Sequence, residues 1–579
     1  MVTTNEPQTP QTLTEAGLGA EGLNRDVGLL GLLWASEGSI IGSGWLFAGF
    51  VAVTIAGPSA LISWGIASVI VILLALVHAE LGGLFPVTGG TSRFPHYAFG
   101  SLAGATFGWF AYLQAATVAP IEVLAAIQYM SSASWASGWY NPSKGTLSGT
   151  GIAVAVGLMV VFVIINLIGV RWLANFNTGV TTWKVAIPVL TVIVFCLFHF
   201  HAHNFTAGGG FFIPGHDGGV HAILEAIAAG GIVFALLGFE QAVQLGGESR
   251  NPQRDLPRSV IGSILIGAAI YILAQFAFIG ALNPATIAHY HTWTNLATDA
   301  GLAQAPFYTV AKVAGIAWLA WILRIDAVIS PAGTGLIYLT SASRIGFGLS
   351  RNGYVPEAFE KSSPKTKIPV FGVIITALIG LLFLLPFPSW AALVAVVTSA
   401  SVLMYAGAPL ALGALRLSKP ELARVYSLPA AKVLSPLAFV FANFIVYWSG
   451  WSTYSTLMVA MVIGYILMAV SRWLNLNPNQ PKIDWGAAKW IFPYLIGLGI
   501  ISYFGDFTGG VGAGAGSIFN GIGGLTGKVV GGHGDLPLYW DLLVVAVFSL
   551  VIYFVAIASR LPEAEVDVYV RDVYPPPIS

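Results

Sequence analysis

Gly38-Ser39-Ile40-Ile41-Gly42-Ser43-Gly44-Trp45-Leu46-Phe47 lies in the first long apolar stretch of the chain, where three glycines within seven residues weaken a helix that would otherwise cross a bilayer. Irregular backbone at membrane depth leaves N–H and C=O groups without partners. It survives only where protein, water or a bound solute satisfies them. The stretch therefore points to a helix interrupted around a binding site, although glycines that merely let two helices pack closely give a similar pattern. A second stretch favours the site. Gly230-Gly231-Ile232-Val233-Phe234-Ala235-Leu236-Leu237-Gly238-Phe239-Glu240 interrupts the sixth apolar segment, five segments after the first. That spacing predicts two five-helix repeats of inverted topology, each opening with a broken helix, with a solute held between the breaks. Amides freed at Ile41, Gly42, Ser43 and Gly44 would then face a carboxylate at a positive helix N-terminus. Carbonyls freed at Phe234, Ala235 and Leu236 would accept hydrogen bonds from an ammonium, and an amino acid offers both groups.

Composition requires a membrane setting: 56% of the 579 residues are hydrophobic and 9% charged, more apolar surface than a soluble domain can hide. An all-α polytopic protein is expected, with fourteen spans near 28–54, 58–85, 101–132, 149–170, 178–199, 221–245, 258–282, 306–341, 368–386, 389–415, 432–449, 452–472, 487–505 and 539–559. Basic residues alternate between loops as this count requires if the N-terminus is cytoplasmic. Only Lys144, Lys312 and Lys528 fall on the opposite side, and Arg324 falls within a span. Residues 1–25 read as a disordered cytoplasmic tail and 26–415 as the ten-helix core. Two further helices follow at 416–475, then a C-terminal pair at 476–560 with a Gly-rich loop at 506–537, and a cytoplasmic tail at 561–579.

Several functions are excluded. Balanced charge, with 25 basic and 25 acidic residues, gives no footprint for nucleic acid. The single cysteine, Cys196, rules out a disulfide framework. Gly527-Lys528 is followed by Val529 where a phosphate-binding loop has Ser or Thr, so nucleotide hydrolysis has no support and an ion gradient is the expected energy source. His199, His201 and His203, with His216 and His221, sit in an outer loop without a Glu-x-x-His or cysteine partner, and no metal is expected there. No nucleophile or cofactor motif suggests an enzyme.

Ionisable residues inside spans are costly and mark candidate sites. Glu122 in the third span could line the pocket or relay protons. Glu240 could hydrogen-bond backbone freed at the second break. Arg324 and Asp326, two apart in the eighth span, point about 200° from one another and need separate partners. Arg324 could grip a substrate side-chain carboxylate with its planar fork, or form an internal ion pair with a glutamate. Asp326 could pair with Lys184 or hold a cation. Glu37 could face a water-filled path or pair with Lys184. Ser39, Ser43, Ser330 and Thr334 offer hydroxyls, of which Ser43 lies within the break.

The first-span Gly-Ser-Ile-Ile-Gly-Ser-Gly resembles the amino acid-polyamine-organocation superfamily. So do Ala79-Glu80-Leu81 through Pro86-Val87-Thr88-Gly89-Gly90, Gly247-Glu248-Ser249-Arg250-Asn251-Pro252-Gln253-Arg254-Asp255-Leu256-Pro257-Arg258, and Ser343-Arg344 with Arg351-Asn352-Gly353-Tyr354-Val355-Pro356. The likeness covers roughly residues 26 to 475. Gly42-Ser43-Gly44-Trp45-Leu46-Phe47-Ala48, Leu385-Pro386-Phe387-Pro388-Ser389-Trp390 and Tyr447-Trp448-Ser449-Gly450-Trp451 are similar to the aspartate-proton symporter branch of bacterial permeases. The resemblance implies the leucine-transporter fold and proton-coupled import of an amino acid, aspartate or another, across the cell membrane by alternating access, with the proton as coupling ion and no other cofactor. It gives Lys184 a place between spans one and eight as proton carrier, whereas position alone would also suit a lysine snorkelling to headgroups. It gives Glu80, Glu248 and Arg254 roles in gating, against ordinary solvated charge. An exchanger of neutral amino acids or amines and a transporter-like sensor stand as alternatives.

Overall fold

The computed structural model describes residues 25–142, 145–168, 170–214, 219–363, 368–384, 390–507, 532–571 and 573, with backbone only at 170–178 and 392. The expected N-terminal tail as far as 24, loop residues 508–531, motif residues 385–389, positions 144, 216 and 365, and the tail residues 572 and 574–579 lie outside the described residues.

The chain is helical throughout its apolar segments. The first span is two helices, α1 (Leu29–Ile40) and α2 (Ser43–Ala56), followed by α3 (Ala60–Leu84), α4 (Gly90–Met130), α5 (Gly149–Ile168) and α6 (Val170–Phe198). The sixth span comprises α7 (Val220–Ala228), α8 (Ile232–Leu236) and α9 (Glu240–Gln244), and α10 (Pro252–Ala281) is the seventh. Short helices α11 (Pro284–Tyr290), α12 (Ala300–Gln304) and α13 (Pro306–Val313) lead into α14 (Ala317–Arg351), α15 (Val370–Leu384) and α16 (Trp390–Ser418). Beyond them run α17 (Ala431–Trp448), α18 (Gly450–Trp473), α19 (Trp485–Ala488), α20 (Ile491–Phe504), α21 (Trp540–Ala558) and the short α22 (Glu563–Tyr569). Among the described residues, eleven helical stretches have the length and apolarity to cross a bilayer, and α1 and α15 are shorter apolar helices. This is an all-α, multi-pass membrane protein.

Corresponding members of the two expected repeats pack on each other: α2 on α8, α3 on α10, α4 on α14 and α5 on α15. A pseudo-twofold relation between inverted repeats brings such pairs together.

Three spans differ in detail from the sequence reading. The eighth starts at Ala317, because 306–313 forms the separate α13, ended by a turn in which Gly315 adopts φ 75°. Apolar character alone could not reveal this break, since both sides of it are apolar. The Ser343-Arg344 motif consequently lies on the helix itself. The third span begins at Gly90, but Gly100 (φ 77°) divides it where the expected span starts. A Cβ at Gly100 would collide with the Asp484 carboxylate, which accepts the Ser101 N–H at 2.8 Å and so caps the second part of α4. The sixth span breaks twice rather than once, at Gly230-Gly231 and at Leu237-Gly238. Gly231 (φ 78°) and Gly238 (φ 130°) take conformations that side-chain-bearing residues avoid.

Candidate functional site: the two helix breaks

The first break occupies Ile41 and Gly42. Ile41 N–H still reaches the Glu37 carbonyl at 3.0 Å, but Gly42 N–H turns back to the Ile40 carbonyl at 3.1 Å, so the Gly38, Ser39 and Ile40 carbonyls lose their usual i+4 donors. Side chains from three other helices replace them at Gly38 and Ile40. The Lys184 ammonium, on α6, donates to the Gly38 carbonyl and, at 2.7 Å, to the Thr334 hydroxyl. Thr334, on α14, donates to the Gly38 carbonyl at 3.0 Å. Tyr271, on α10, donates to the Ile40 carbonyl at 2.6 Å. Lys184 is buried, and it joins α1 to α14 as the resemblance implies rather than reaching the headgroups.

On the α2 side, Glu122 occupies the positive end. Its carboxylate accepts the Ser43 N–H at 2.8 Å and the Ser43 hydroxyl at 3.0 Å, and Trp390 N–H donates to that hydroxyl at 2.9 Å. A protein carboxylate therefore takes the Ser43 amide that the sequence reading assigned to a substrate carboxylate. The amides of Gly44 and Trp45 receive no partner from another element among the described residues. Three buried carboxylates, Glu122, Asp326 and Glu37, surround Lys184. None is within ion-pair distance of it among the described residues. Asp326 accepts instead from the Trp45 and Trp183 indoles, each at 2.9 Å, and from Ser330 at 2.6 Å. Glu37 is buried with neither carboxylate oxygen hydrogen-bonded.

The second break faces the first. A Cβ on Gly44 would come within 2.8 Å of the Ala235 Cα, so α2 and α8 touch backbone to backbone. Phe234, Ala235 and Leu236 form the last residues of α8 and are buried. Phe234 meets the Trp390 ring edge-on at 5.8 Å, and Trp390 stacks on Phe47 at 5.1 Å. Glu240 lies beyond the second interruption and bonds back across it. It accepts from Gly238 N–H at 2.9 Å, Tyr405 at 2.5 Å, Gln241 at 3.1 Å, Tyr338 at 3.2 Å and Gln114 at 3.5 Å.

Arg324 stands apart from this cluster. Its guanidinium lies 4.2 Å from the Tyr308 ring centroid, and Nε has no hydrogen-bond partner among the described residues. The Tyr308 amide donates to Tyr129 Oη at 2.9 Å, and Tyr129 meets Phe47 edge-on, which places Arg324 at the outer flank of the aromatic wall. No carboxylate pairs with it among the described residues, so the internal Arg–Glu pair is not what holds it.

The residues assigned to gating divide. Glu80, on α3, accepts from Arg416 at 2.5 and 2.9 Å, from Arg424 at 3.1 Å and from Leu428 N–H at 2.7 Å. Glu248 pairs with Arg344 at 3.0 Å, next to a parallel bridge between Val27 and Ser249. Both therefore join separate elements at the face where α1 begins. Arg254 pairs with its neighbour Asp255 at 2.9 Å and is 56% exposed, so it ties no two elements together. Among the described residues no three His, Cys, Asp or Glu side chains converge as metal ligands.

Sequence reasoning missed Trp390 as a site residue, quoting it only within a motif, and missed Tyr271, Tyr338, Tyr405 and Gln114. Their signal is general: a phenol or amide inside an apolar span needs a partner, and a helix break supplies carbonyls.

Two interrupted helices touching inside a multi-pass bundle, one of them tied to α14 by a buried lysine, have the architecture of a transporter rather than an enzyme. The chain belongs to the amino acid permease family, whose pattern matches residues 27–470. It is 34% identical over 546 residues to the glutamate/serine transporter AimA of Bacillus subtilis, covering 93% of this chain and 94% of that one. It is 33% identical over 549 residues to the aspartate-proton symporter of the same organism, covering 94% and 98%. The branched-chain amino acid permease BcaP, also from B. subtilis, is 28% identical over 485 residues, 79% of this chain and 95% of that one.

Proposed function

We propose that the protein imports an amino acid by alternating access, driven by protons, with a dicarboxylic or small polar amino acid as substrate. The observation that carries this reading is the Lys184 amine, held between the Gly38 carbonyl and the Thr334 hydroxyl with no carboxylate on it among the described residues. An amine shielded from water gives up its proton more readily than a solvated one. Loss of that proton removes an ammonium donor from the bridge between α1 and α14, so protonation and the position of the broken helix are linked. The substrate carboxylate takes the Gly44 and Trp45 amides, its ammonium takes the last carbonyls of α8, and Trp390 with Phe47 covers it. Because Gly44 and Ala235 touch, admission of substrate requires the two breaks to part.

Arg324 supports the acidic substrate, since it offers, beside the aromatic wall, a cation without an ion-pair partner among the described residues. The names of two relatives, a glutamate/serine transporter and an aspartate-proton symporter, agree with that class. The concentration of basic residues on the face where α1 begins supports cytoplasmic termini.

The test is uptake of labelled aspartate, glutamate and serine into proteoliposomes with and without an inward proton gradient. Accumulation against a gradient, stimulated by protons, is expected, with inward current for zwitterionic serine and none for aspartate or glutamate carried with one proton each. Uptake that needs an amino acid inside the vesicle and ignores the proton gradient would replace import by exchange.

A further inference from the structure

Away from the breaks, a groove of about 630 Å³ opens between α16, α17 and α21. Its two ends differ in chemistry. Arg416, Arg424 and Lys432 line one end, where α16 stops and α17 starts and where a bilayer surface must therefore lie. Leu417, Tyr553, Phe554 and Ile557 form the apolar wall, with Leu417 55% and Phe554 60% exposed.

The donors at the basic end are unequally committed. Arg424 uses its guanidinium on Glu80 and on the carbonyls of Pro420, Leu422 and Lys419. Arg416 places Nε and Nη2 on Glu80, with Nη2 also on Ser427 and the Leu428 carbonyl. Its Nη1 has no hydrogen-bond partner among the described residues, and neither has the exposed Lys432 amine. Two arginines thus share one carboxylate, Glu80, and Lys432 has none among the described residues. The other carboxylates nearby, Asp567, Glu563 and Glu421, are gathered on Lys419, which does not line the groove. Partial burial disfavours the Lys419 ammonium, but those carboxylates outweigh it and hold its pKa above the ordinary value.

We propose that this groove binds an anionic phospholipid, its phosphate on Lys432 and Arg416 Nη1 and its acyl chains along Leu417, Tyr553, Phe554 and Ile557. A basic recess between helices at the bilayer surface matches a phosphodiester, and the apolar wall matches the chains below it. Because Nη1 is the edge of Arg416 that Glu80 does not use, the lipid adds an anion to the guanidinium without displacing the contact to α3. Bound lipid therefore stabilises the junction of α3, α16 and α17 instead of breaking it.

The full-length protein, purified in neutral detergent, tests this by native mass spectrometry and thermal unfolding. The probes are dioleoyl phosphatidylglycerol, dioleoyl phosphatidylcholine and inorganic phosphate. Phosphatidylglycerol is expected to be retained and to raise the unfolding temperature, whereas phosphatidylcholine of the same chains is not. Lys432→Gln should weaken phosphatidylglycerol retention about fivefold, the effect of one lysine at an anionic surface, while Lys489→Gln, another exposed lysine, leaves it unchanged. Equal retention of both lipids, or retention indifferent to Lys432→Gln, would overturn the site. Stabilisation by inorganic phosphate equal to that by phosphatidylglycerol would overturn the lipid in favour of a free anion. Neither readout depends on transport, so the site stands or falls separately from the transport reading.

Discussion

The two helix breaks solve the same problem with different chemistry. At the first, the carbonyls freed from α1 are met by an ammonium, a threonine and a tyrosine, and the opposing amide is met by the carboxylate of Glu122. At the second, one carboxylate, Glu240, is met by five donors, all of them uncharged. A contact whose donor is an ammonium changes when that donor loses a proton. A carboxylate already surrounded by amides and phenols has little reason to release its partners. In the proposed mechanism the first break is the element that a proton moves, and the second is the fixed wall against which it moves.

The largest effect expected from this contrast belongs to Lys184→Ala. Removing the amine takes away its hydrogen bonds to Gly38 on α1 and Thr334 on α14, each charged hydrogen bond contributing about 1.5–3 kcal/mol, and leaves only the direct Thr334 to Gly38 bond between the two helices. Proton-driven accumulation in proteoliposomes should fall to background, with equilibrium substrate binding partly retained; unchanged uptake under a proton gradient would remove Lys184 from coupling. Gly42→Val comes next. A Cβ there would stand 2.7 Å from Thr334 Oγ1 and 2.9 Å from Glu122 Oε1, and overpacking of this kind costs about 1–3 kcal/mol. Calorimetric titration with substrate should show binding lost or weakened tenfold or more, and wild-type affinity would move the site away from this break.

How much of this was legible in the sequence follows from chain separation. Gly38, Gly42 and Gly44, and Gly230 with Gly231, announce both breaks locally, because a glycine acts on its own backbone. Partners across a break come from far along the chain: Glu122 is 79 residues from Ser43, and Trp390 is 347. Residue type alone said that Glu122 and Lys184 needed company, and only packing says which company. The resemblance supplied the neighbourhood of Lys184, but nothing local marked Glu122 as the group sitting on the α2 amide. The second interruption at Leu237-Gly238 was hidden for another reason. One glycine in an apolar run reads as ordinary helix packing, and its φ of 130° emerges only when Ile40 and Ser39 lie against it.

Glu240→Gln sharpens the comparison at the fixed wall. The amide keeps the shape but turns an NH₂ toward groups that are themselves donors, leaving at least one buried donor unmatched at about 1–3 kcal/mol. Thermal unfolding should begin several degrees lower, while the dependence of uptake on the proton gradient keeps its form. A loss of coupling with stability intact would make Glu240 a second proton site and erase the distinction between the breaks.

The smallest expected effect is also the one that separates substrates. Arg324 touches neither break; its guanidinium rests on Tyr308 with Nε unbonded among the described residues. If it reads a side-chain carboxylate, Arg324→Gln should raise the apparent KM for aspartate and glutamate about tenfold, the weight of one charge-assisted hydrogen bond. Serine and alanine, which present no second carboxylate, should be transported as before. Competition curves with these four amino acids against one labelled substrate measure the difference directly. Equal weakening of all four would mean that the arginine positions α13 against α14 through Tyr308. Selectivity would then have to reside in the aromatic wall of Phe47, Phe234 and Trp390, which both breaks share.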